Sequence, residues 1–352
     1  MPDWTKSMKQ TFEYCVVDPD TWRDMSTLDH VSKCTIDRDE DTDTLGSAVF
    51  DVSDSVTECY IRVYLITIQN GVTERFPMGT FLVQTPSADY DGRYPKMSLD
   101  AYTPLLELKE NPPPVGYSLL KKSNIMSYAY KIVRAHVRAP VPYVKGTDVL
   151  YSDFVANTDD TWLSFIKDLL ANAQYKIGLD EMGRILFLPD QDTASLRPVW
   201  EYTDDNSSIL YPDISLKHDI YGLPNVVEVV YTSSLNNYTA RVVNNDPNSP
   251  ISTVNRGREI IHRAINPELP GEPTKTQLQE YAKLLLRQLS SVDYTLSYSH
   301  GYCPVRLGDC VLLNYERAGI TGVKAKVTRQ SIECTPGCKV TETAVYTTNL
   351  WG

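Results

Sequence analysis

The sequence predicts an α+β fold that is mostly β, with two small, tube-like β-barrel domains and a small α+β insertion between them. Short strand patterns separated by turn residues fill the chain up to residue 111. Pro112-Pro113-Pro114 then interrupts any strand ladder, and the apolar period becomes helical. Strand patterns return in the last 150 or so residues. We therefore predict a first β-barrel domain at 1–111, an α+β insertion at 112–205, and a second β-barrel domain with one helix at 206–352.

The first predicted domain is a succession of short strands. Asn70-Gly71 after a long apolar run predicts a hairpin. Pro77 and Gly79 predict a break in the returning strand, which resumes at Thr80. The predicted strands are 11–17, 31–36, 47–52, 59–68, 80–85 and 96–102.

The insertion changes from strand to helix. Ser123-Asn124 is a capping pair for a helix that reaches about Ala135, and Thr158-Asp159-Asp160 predicts the cap of a second helix at 162–171. A hairpin follows, with strands at 175–179 and 184–189.

The last predicted domain begins with a strand at 225–231 that pairs with 238–243. The segment 244–258 is rich in Asn, Pro and Ser and is predicted to be a long exposed loop. An amphipathic helix at 278–289 leads to strands at 294–298, 310–313, 322–332 and 339–346, with a tight turn at Gly308-Asp309.

Charge and composition argue against some classes of function. The 352 residues have a net charge of −11 and a pI near 5.0, which argues against a surface that neutralises phosphates. The negative net charge is compatible with a surface past which nucleic acid slides, but acidity alone favours ordinary solubility. Tyrosine is abundant, 23 against 7 Phe, as in half-buried sheet faces and interfaces. With no secretory signal and no apolar run of about 20 residues, we expect synthesis in a cytosol and no membrane insertion.

Seven cysteines, an odd number, indicate reduced and mostly buried thiols. The spacings of Cys303, Cys310, Cys334 and Cys338 are not those of a zinc ribbon or knuckle. Cys334 and Cys338 flank the turn residues 335–337, so a facing pair across a hairpin and two free thiols both remain open.

No motif indicates chemistry. The sequence lacks a Gly-x-Ser-x-Gly elbow, a phosphate-binding glycine loop and an HExxH motif. The histidines are too scattered for an i, i+4 metal pair. We predict no catalytic, cofactor-binding or metal-ligating residue. The five histidines are His30, His136, His218, His262 and His300.

An acidic run at 37–43 has acids at alternate positions, as calcium loops do. The pattern has Thr42 where such a loop has Gly, and Ala48 where it has Glu. We therefore expect a solvated acidic turn.

The order of the units, however, is specific. "GSAVFDV", "IRVYLITIQNG", "MGTFLVQTP" and "LDAYTPLLELKE" precede "TWLSFIKDLLANAQYKIGLDEMGRILFLP", and "LPNVVEVVY", "LQEYAKLLLRQL" and "RLGDCVLL" follow. Over residues 10–348 this order resembles the baseplate hub proteins of tailed phages and phage-like injection machines.

The resemblance implies a structural virion protein of the tail tip, assembled in the host cytoplasm. Hubs of this family are homotrimers whose two related barrels per subunit form a quasi-sixfold ring. That ring joins a hexameric tail tube or distal tail protein to a threefold spike or fibre, contacts the tape-measure protein, and surrounds the DNA channel without binding DNA specifically. The Gly308-Asp309 turn matches a structural Gly-Asp of the family. The chain ends at Gly352 after the second barrel, so we expect any cell-wall-degrading activity on another chain.

Two alternatives belong to other classes. A phage-associated cell-wall hydrolase, with a carboxylate or Cys/His site in the insertion, would require a deep cleft with clustered perturbed groups. A receptor- or carbohydrate-binding tail-tip module would use the tyrosines for sugar stacking, but the repeats or jelly-roll pattern of such modules are not visible.

Overall fold

The computed structural model describes residues 2–53, 55–90, 92, 95–191, 193–233, 236–267 and 272–351, without the side chains of 85–88, 95 and 194. The chain is mostly β with few helices, as predicted. The strands are β1 (Lys9–Val17), β2 (Asp24–Thr27), β3 (Val31–Asp39), β4 (Gly46–Val52), β5 (Tyr60–Gln69), β6 (Val72–Tyr90), β7 (Pro95–Tyr102), β8 (Ser118–Leu119), β9 (Phe154–Val155), β10 (Tyr175–Leu179), β11 (Ile185–Pro189), β12 (Trp200–Thr203), β13 (Leu210–His218), β14 (Val226–Thr232), β15 (Asn237–Val243), β16 (Ile261–Ile265), β17 (Ser291–Gly301), β18 (Cys310–Tyr315), β19 (Ile320–Glu333) and β20 (Lys339–Asn349).

The described α-helices are α1 (Leu106–Lys109), α2 (Ile125–His136), α3 (Trp162–Ala171), α4 (Thr253–Arg256) and α5 (Lys275–Leu289). Asn124 caps α2 as predicted, through a hydrogen bond of 2.9 Å from the amide of Ser127. The predicted cap of α3 is wrong: Thr161 caps it in a reciprocal capping box with Ser164, because Thr161 is the last residue with extended backbone before the helix.

Thirteen strands of the described chain form one sheet, in the order β13-β17-β20-β19-β3-β4-β7-β6-β5-β1-β2, with β12 paired to β18 and β18 to β19. The pairing of β3 with β19 is antiparallel and runs from Asp39 opposite Arg329 to Thr35 opposite Glu333. This ladder joins strands from the two predicted barrel regions. The strands pair in an open path, with β13 at one end and β2 at the other. Closed barrels therefore remain a prediction. The domain boundaries also remain a prediction.

Two compact units are present, one of Met1–Ile214 with Ser297–Ala344, and one of Ser215–Leu296 with Val345–Gly352. In the first unit, α2 and α3 pack with the β10–β11 hairpin around buried residues such as Met126, Phe165 and Ile185. The large apolar residues of α3 recur at helical spacing and face this core.

The second compact unit contains a three-stranded sheet in the order β15-β14-β16 and the helix α5. Leu278, Ala282 and Leu286 of α5 pack on Val227 and Val229 of β14. The predicted pairing of β14 with β15 is confirmed. The parallel strand β16 was missed, since His262 and Arg263 make this segment polar and its side chains are largely exposed.

The predicted break at Pro77 and Gly79 is wrong, because β6 is continuous. Gly79 pairs with Val63 and Pro77 with Tyr64, which leaves Met78 as an extra residue in a β-bulge. The bulge accommodates the missing donor of proline and places Met78 in the core, with no exposed surface.

The predicted exposed loop at 244–258 is also more ordered than expected. Asn244, Ser249 and Ser252 are buried, and Asn244 donates to Ser249 Oγ at 2.8 Å. Ser252 caps the short helix α4 by accepting from the amide of Asn255. The Asn- and Ser-rich composition supplies side chains that satisfy the backbone of a compact loop.

Gly46 provides a test of this fold. Its φ is +142°, and a β-carbon there would lie 2.3 Å from the carbonyl oxygen of Asp37. We expect Gly46→Ala to lower the free energy of unfolding by more than about 3 kcal/mol, through backbone strain and this collision. Gly71 also has positive φ, +80°, but nothing within 4 Å of a β-carbon. Gly71→Ala should lower the free energy of unfolding by only about 1 kcal/mol. Urea titration measures both values, and equal losses in the two variants would contradict the collision with the Asp37 carbonyl oxygen.

Candidate functional site

The carboxylate of Glu342 on β20 is fully buried in the first unit and lies at the centre of a polar network. It accepts hydrogen bonds from Tyr298 Oη at 2.5 Å, Gln330 Nε2 at 2.7 Å and Tyr202 Oη at 3.3 Å. His300 Nε2 lies 3.5 Å from Glu342 Oε2. A carboxylate removed from water is tolerated only with this number of donors.

His300 is the positive partner of this carboxylate. Its Nδ1 lies 2.7 Å from the carbonyl oxygen of Gly301, which only accepts, so Nδ1 carries a hydrogen. Burial alone lowers the pKa of His300, but the hydrogen bonds to Cys303 and Glu342 outweigh it and raise the pKa to about 10. Burial and the charge of Glu342 also raise the pKa of Tyr202 and Tyr298, which therefore stay protonated donors.

The network continues to β3 and β6. Gln330 Oε1 accepts from Arg38 Nη1 at 3.0 Å, and Arg38 Nη2 donates to the carbonyl oxygen of Met78 at 2.7 Å. Gln330 also donates to the carbonyl oxygen of Val305. One chain of hydrogen bonds thus connects six strands of the large sheet (β3, β6, β12, β17, β19 and β20) and the loop before β18.

Cys303 and His300 are the Cys/His combination that a thiol hydrolase would need. The sulfur of Cys303 lies 3.9 Å from His300 Nδ1 and 3.3 Å from Tyr202 Oη. Both residues are buried, with exposed fractions of 2% and 0%, so the thiol is packed in the core instead of facing solvent. The other cysteines are also free thiols, including the buried Cys334 and Cys338.

The acidic run at 37–43, predicted to be a solvated turn, is an ion-pair junction. Glu40 binds Lys176 at 2.8 Å and Lys326 at 2.6 Å. Asp43 binds Lys109 at 2.9 Å and Lys167 at 3.5 Å. Asp41 and Asp43 are exposed in this turn, as predicted, but the sequence did not indicate the ion pairs, because the partner lysines come from distant parts of the chain.

The pKa values follow these contacts. Burial alone raises the pKa of Glu40, but the two lysines outweigh burial and lower the pKa below its usual value. Lys109 is the main cause of the lowered pKa of Asp43. Both carboxylates are therefore ionised structural partners over the neutral pH range.

A cleft of 970 Å³ in the first unit is bordered by Glu40, Lys176, Lys326, Arg306 and Asp309. Several of its charges are paired with one another: Glu40 with Lys176 and Lys326, and Arg306 with Glu181 at 2.6 Å. Burial raises the pKa of Asp309, and the hydrogen bond from the amide of Arg306 opposes this rise. That hydrogen bond and the φ of +86° at Gly308 confirm the predicted structural use of the Gly-Asp turn. Among the described residues, no group of His, Cys, Asp and Glu could hold a metal ion.

Comparison with known proteins gives a fold relationship over the whole chain. No protein-family model and no curated protein matches the sequence. A tail protein from Neisseria meningitidis MC58 aligns over 97% of this chain and 98% of its own, with a TM-score of 0.59 and 12% identity. The 43 kDa tail protein of prophage MuSo2 from Shewanella oneidensis aligns over 95% and 98%, with a TM-score of 0.60 and 10% identity. This chain has the fold of phage tail proteins.

The tail-protein fold agrees with the expected resemblance at the level of architecture. Within the described part of the chain, no helix has both the length and the apolar character needed to cross a bilayer.

The Glu342 network was missed from the sequence, although a signal for it exists. Glu342 falls between Val340 and Ala344 on the apolar side of an alternating strand, where an acid requires buried partners.

Removal of the central carboxylate tests the network. Glu342→Ala would leave the His300 imidazolium, Gln330 and two tyrosine hydroxyls without their acceptor. We expect a loss of about 3–5 kcal/mol in the free energy of unfolding, measured by urea titration. Glu333→Ala is the control on the neighbouring strand, because its 3.9 Å contact with Lys339 is exposed. It should change stability by less than about 0.5 kcal/mol.

The His300–Glu342 pair also predicts a pH dependence. The pKa of His300 is about 10 in the folded protein against 6.5 for an ordinary histidine, so the folded state binds the proton more tightly. This contribution is fully present below pH 6.5, declines as pH rises, and is lost above about pH 10. Apparent stability should therefore fall by a few kcal/mol between pH 6 and pH 9.5. His300→Gln should flatten this decline, and an unchanged slope in the variant would contradict the assignment.

Proposed function

We propose that this chain is a structural protein of a phage tail tip, a baseplate hub that forms a homotrimeric ring. The observation that carries the proposal is the similarity in fold to two tail proteins over at least 95% of all three chains. Because the alignment includes both strand-rich regions and the α+β region, it concerns the whole architecture. A structural role in the tail follows from it more directly than from any single residue.

The distribution of reactive groups supports a structural role over a catalytic one. The Cys303–His300 pair is buried, and in the cleft Glu40 is ion-paired to Lys176 and Lys326, and Arg306 to Glu181. These groups connect strands, whereas a hydrolase needs a free acid, base or nucleophile that a substrate can reach. We therefore favour assembly over hydrolysis.

In the proposed ring, each subunit contributes two related barrels, one from each predicted β domain, on either side of the predicted α+β insertion. Three subunits then present six similar barrels to a hexameric tail tube or distal tail protein. On the other side, the threefold symmetry of the ring matches a threefold spike or fibre. The tape-measure protein and the DNA occupy the channel. The net charge of −11 supports a channel wall that repels phosphates instead of binding them. The proposed hub is assembled in the host cytoplasm and is located at the tail tip of the virion.

The proposal is tested by mass and symmetry. The purified chain should sediment as a trimer in analytical ultracentrifugation, and class averages from electron microscopy should show a threefold ring with a central opening. Trimer contacts should bury well over about 1,000 Å². A species that stays monomeric at all concentrations, or a compact particle without an opening, would contradict the hub and leave only the general tail-protein fold.

A further inference from the structure

Basic residues are concentrated in one part of this acidic chain. Residues 111–147 contain six Lys and Arg and no Asp or Glu, whereas the whole chain has a net charge of −11. All six basic side chains are exposed. This segregation gives a local positive potential on a protein that is otherwise negative. The six residues are Lys121, Lys122, Lys131, Arg134, Arg138 and Lys145.

Most of these cations have no carboxylate partner. Arg138 forms ion pairs with Glu107 and Glu58. Within the described residues the other five form no ion pair, although Glu40 and Asp43 elsewhere in the same unit bind two lysines each. The unpaired cations are therefore available to negative groups outside this chain.

Two of these lysines lie in a surface that is also apolar, which we call the basic strip and define as residues 118–124 and 149–155. Its two segments run side by side, since β8 pairs with β9 and Asn124 bridges to Val149. Leu120 and Tyr151 are 68% and 90% exposed. Exposed apolar side chains grouped in this way are typical of protein interaction sites. The exposed side chains of the strip include Leu120, Lys121, Lys122, Val149, Tyr151 and Val155.

The basic strip is held in place before any partner binds. The amide of Lys121 donates to Asp153 Oδ1 at 2.7 Å, and its ammonium lies 5.5 Å from the ring centroid of Tyr151. Leu119 and Leu150 are buried in the core directly beneath. A surface that is already ordered loses less conformational entropy on binding.

We propose that the basic strip docks on an acidic surface of a second copy of this chain. The proposal rests on the homotrimer proposed above. In a closed ring each subunit presents one surface to a different surface of its neighbour, so opposite charges can meet. The neighbour has a net charge of −11 and supplies the carboxylates. Apolar side chains beside the lysines favour a protein over nucleic acid, because phosphates gain nothing from Leu120, Val149 or Val155.

Charge reversal tests the docking. We expect Lys121→Glu/Lys122→Glu to weaken trimer formation about tenfold or more, because attraction becomes repulsion across the contact. The matched control is Lys275→Glu/Lys283→Glu, the same charge change at two exposed lysines of α5. Its association constant should stay within about twofold of the wild type. Sedimentation velocity over a concentration series gives the association constants, and circular dichroism establishes that each variant is folded.

Hydrogen–deuterium exchange of the wild type gives a readout without substitution. Amides of the basic strip should exchange more slowly in the trimer than in dissociated subunits, and unchanged exchange overturns the proposal. A wild-type trimer whose association survives charge reversal overturns this docking and leaves the homotrimer intact. A wild type that is always monomeric overturns both proposals. Fluorescence anisotropy with duplex DNA covers the alternative: DNA binding that charge reversal abolishes, with unchanged trimer mass, would assign the strip to nucleic acid.

Discussion

A carboxylate with no exposure to water must be satisfied inside the protein, and Glu342 imposes this constraint on the large sheet. Its donors come from β12, β17 and β19, and Gln330 extends the connection through Arg38 to Met78. A slip of one residue in any of these strands would turn a donor to the opposite face. The network therefore specifies register, which apolar packing alone determines less sharply because neighbouring apolar side chains are interchangeable.

The ion pairs of Glu40 and Asp43 have a related role at the surface of the same unit. They connect the turn after β3 to α1, α3, β10 and β19, which are far apart in sequence. Each exposed pair contributes little by itself, and their value lies in joining several elements at one turn. These charged residues thus stabilise the scaffold, which agrees with the proposed structural role.

The chain as a whole is acidic, whereas the region 111–147 is basic. In the proposed ring, an acidic wall suits the passage of DNA, and the basic region at 111–147 would interrupt that wall if it faced the lumen. Its position in the α+β region, with apolar residues such as Leu120 and Tyr151 alongside, suits a contact between subunits instead. In the proposed homotrimer, repulsion of DNA and attraction between subunits therefore come from different parts of one chain.

Local patterns in the sequence determined the mostly β class, the β10–β11 hairpin, α2, α3 and α5, because strand alternation, helical spacing and caps act over a few residues. They did not determine the continuous β6, since a bulge placing Met78 in the core depends on the partner strand. Nor did they identify the partners of Glu40 or Glu342, which lie up to 286 residues away. Only the tertiary structure decided those contacts, because the energy of a buried charge depends on which donors the fold brings to it.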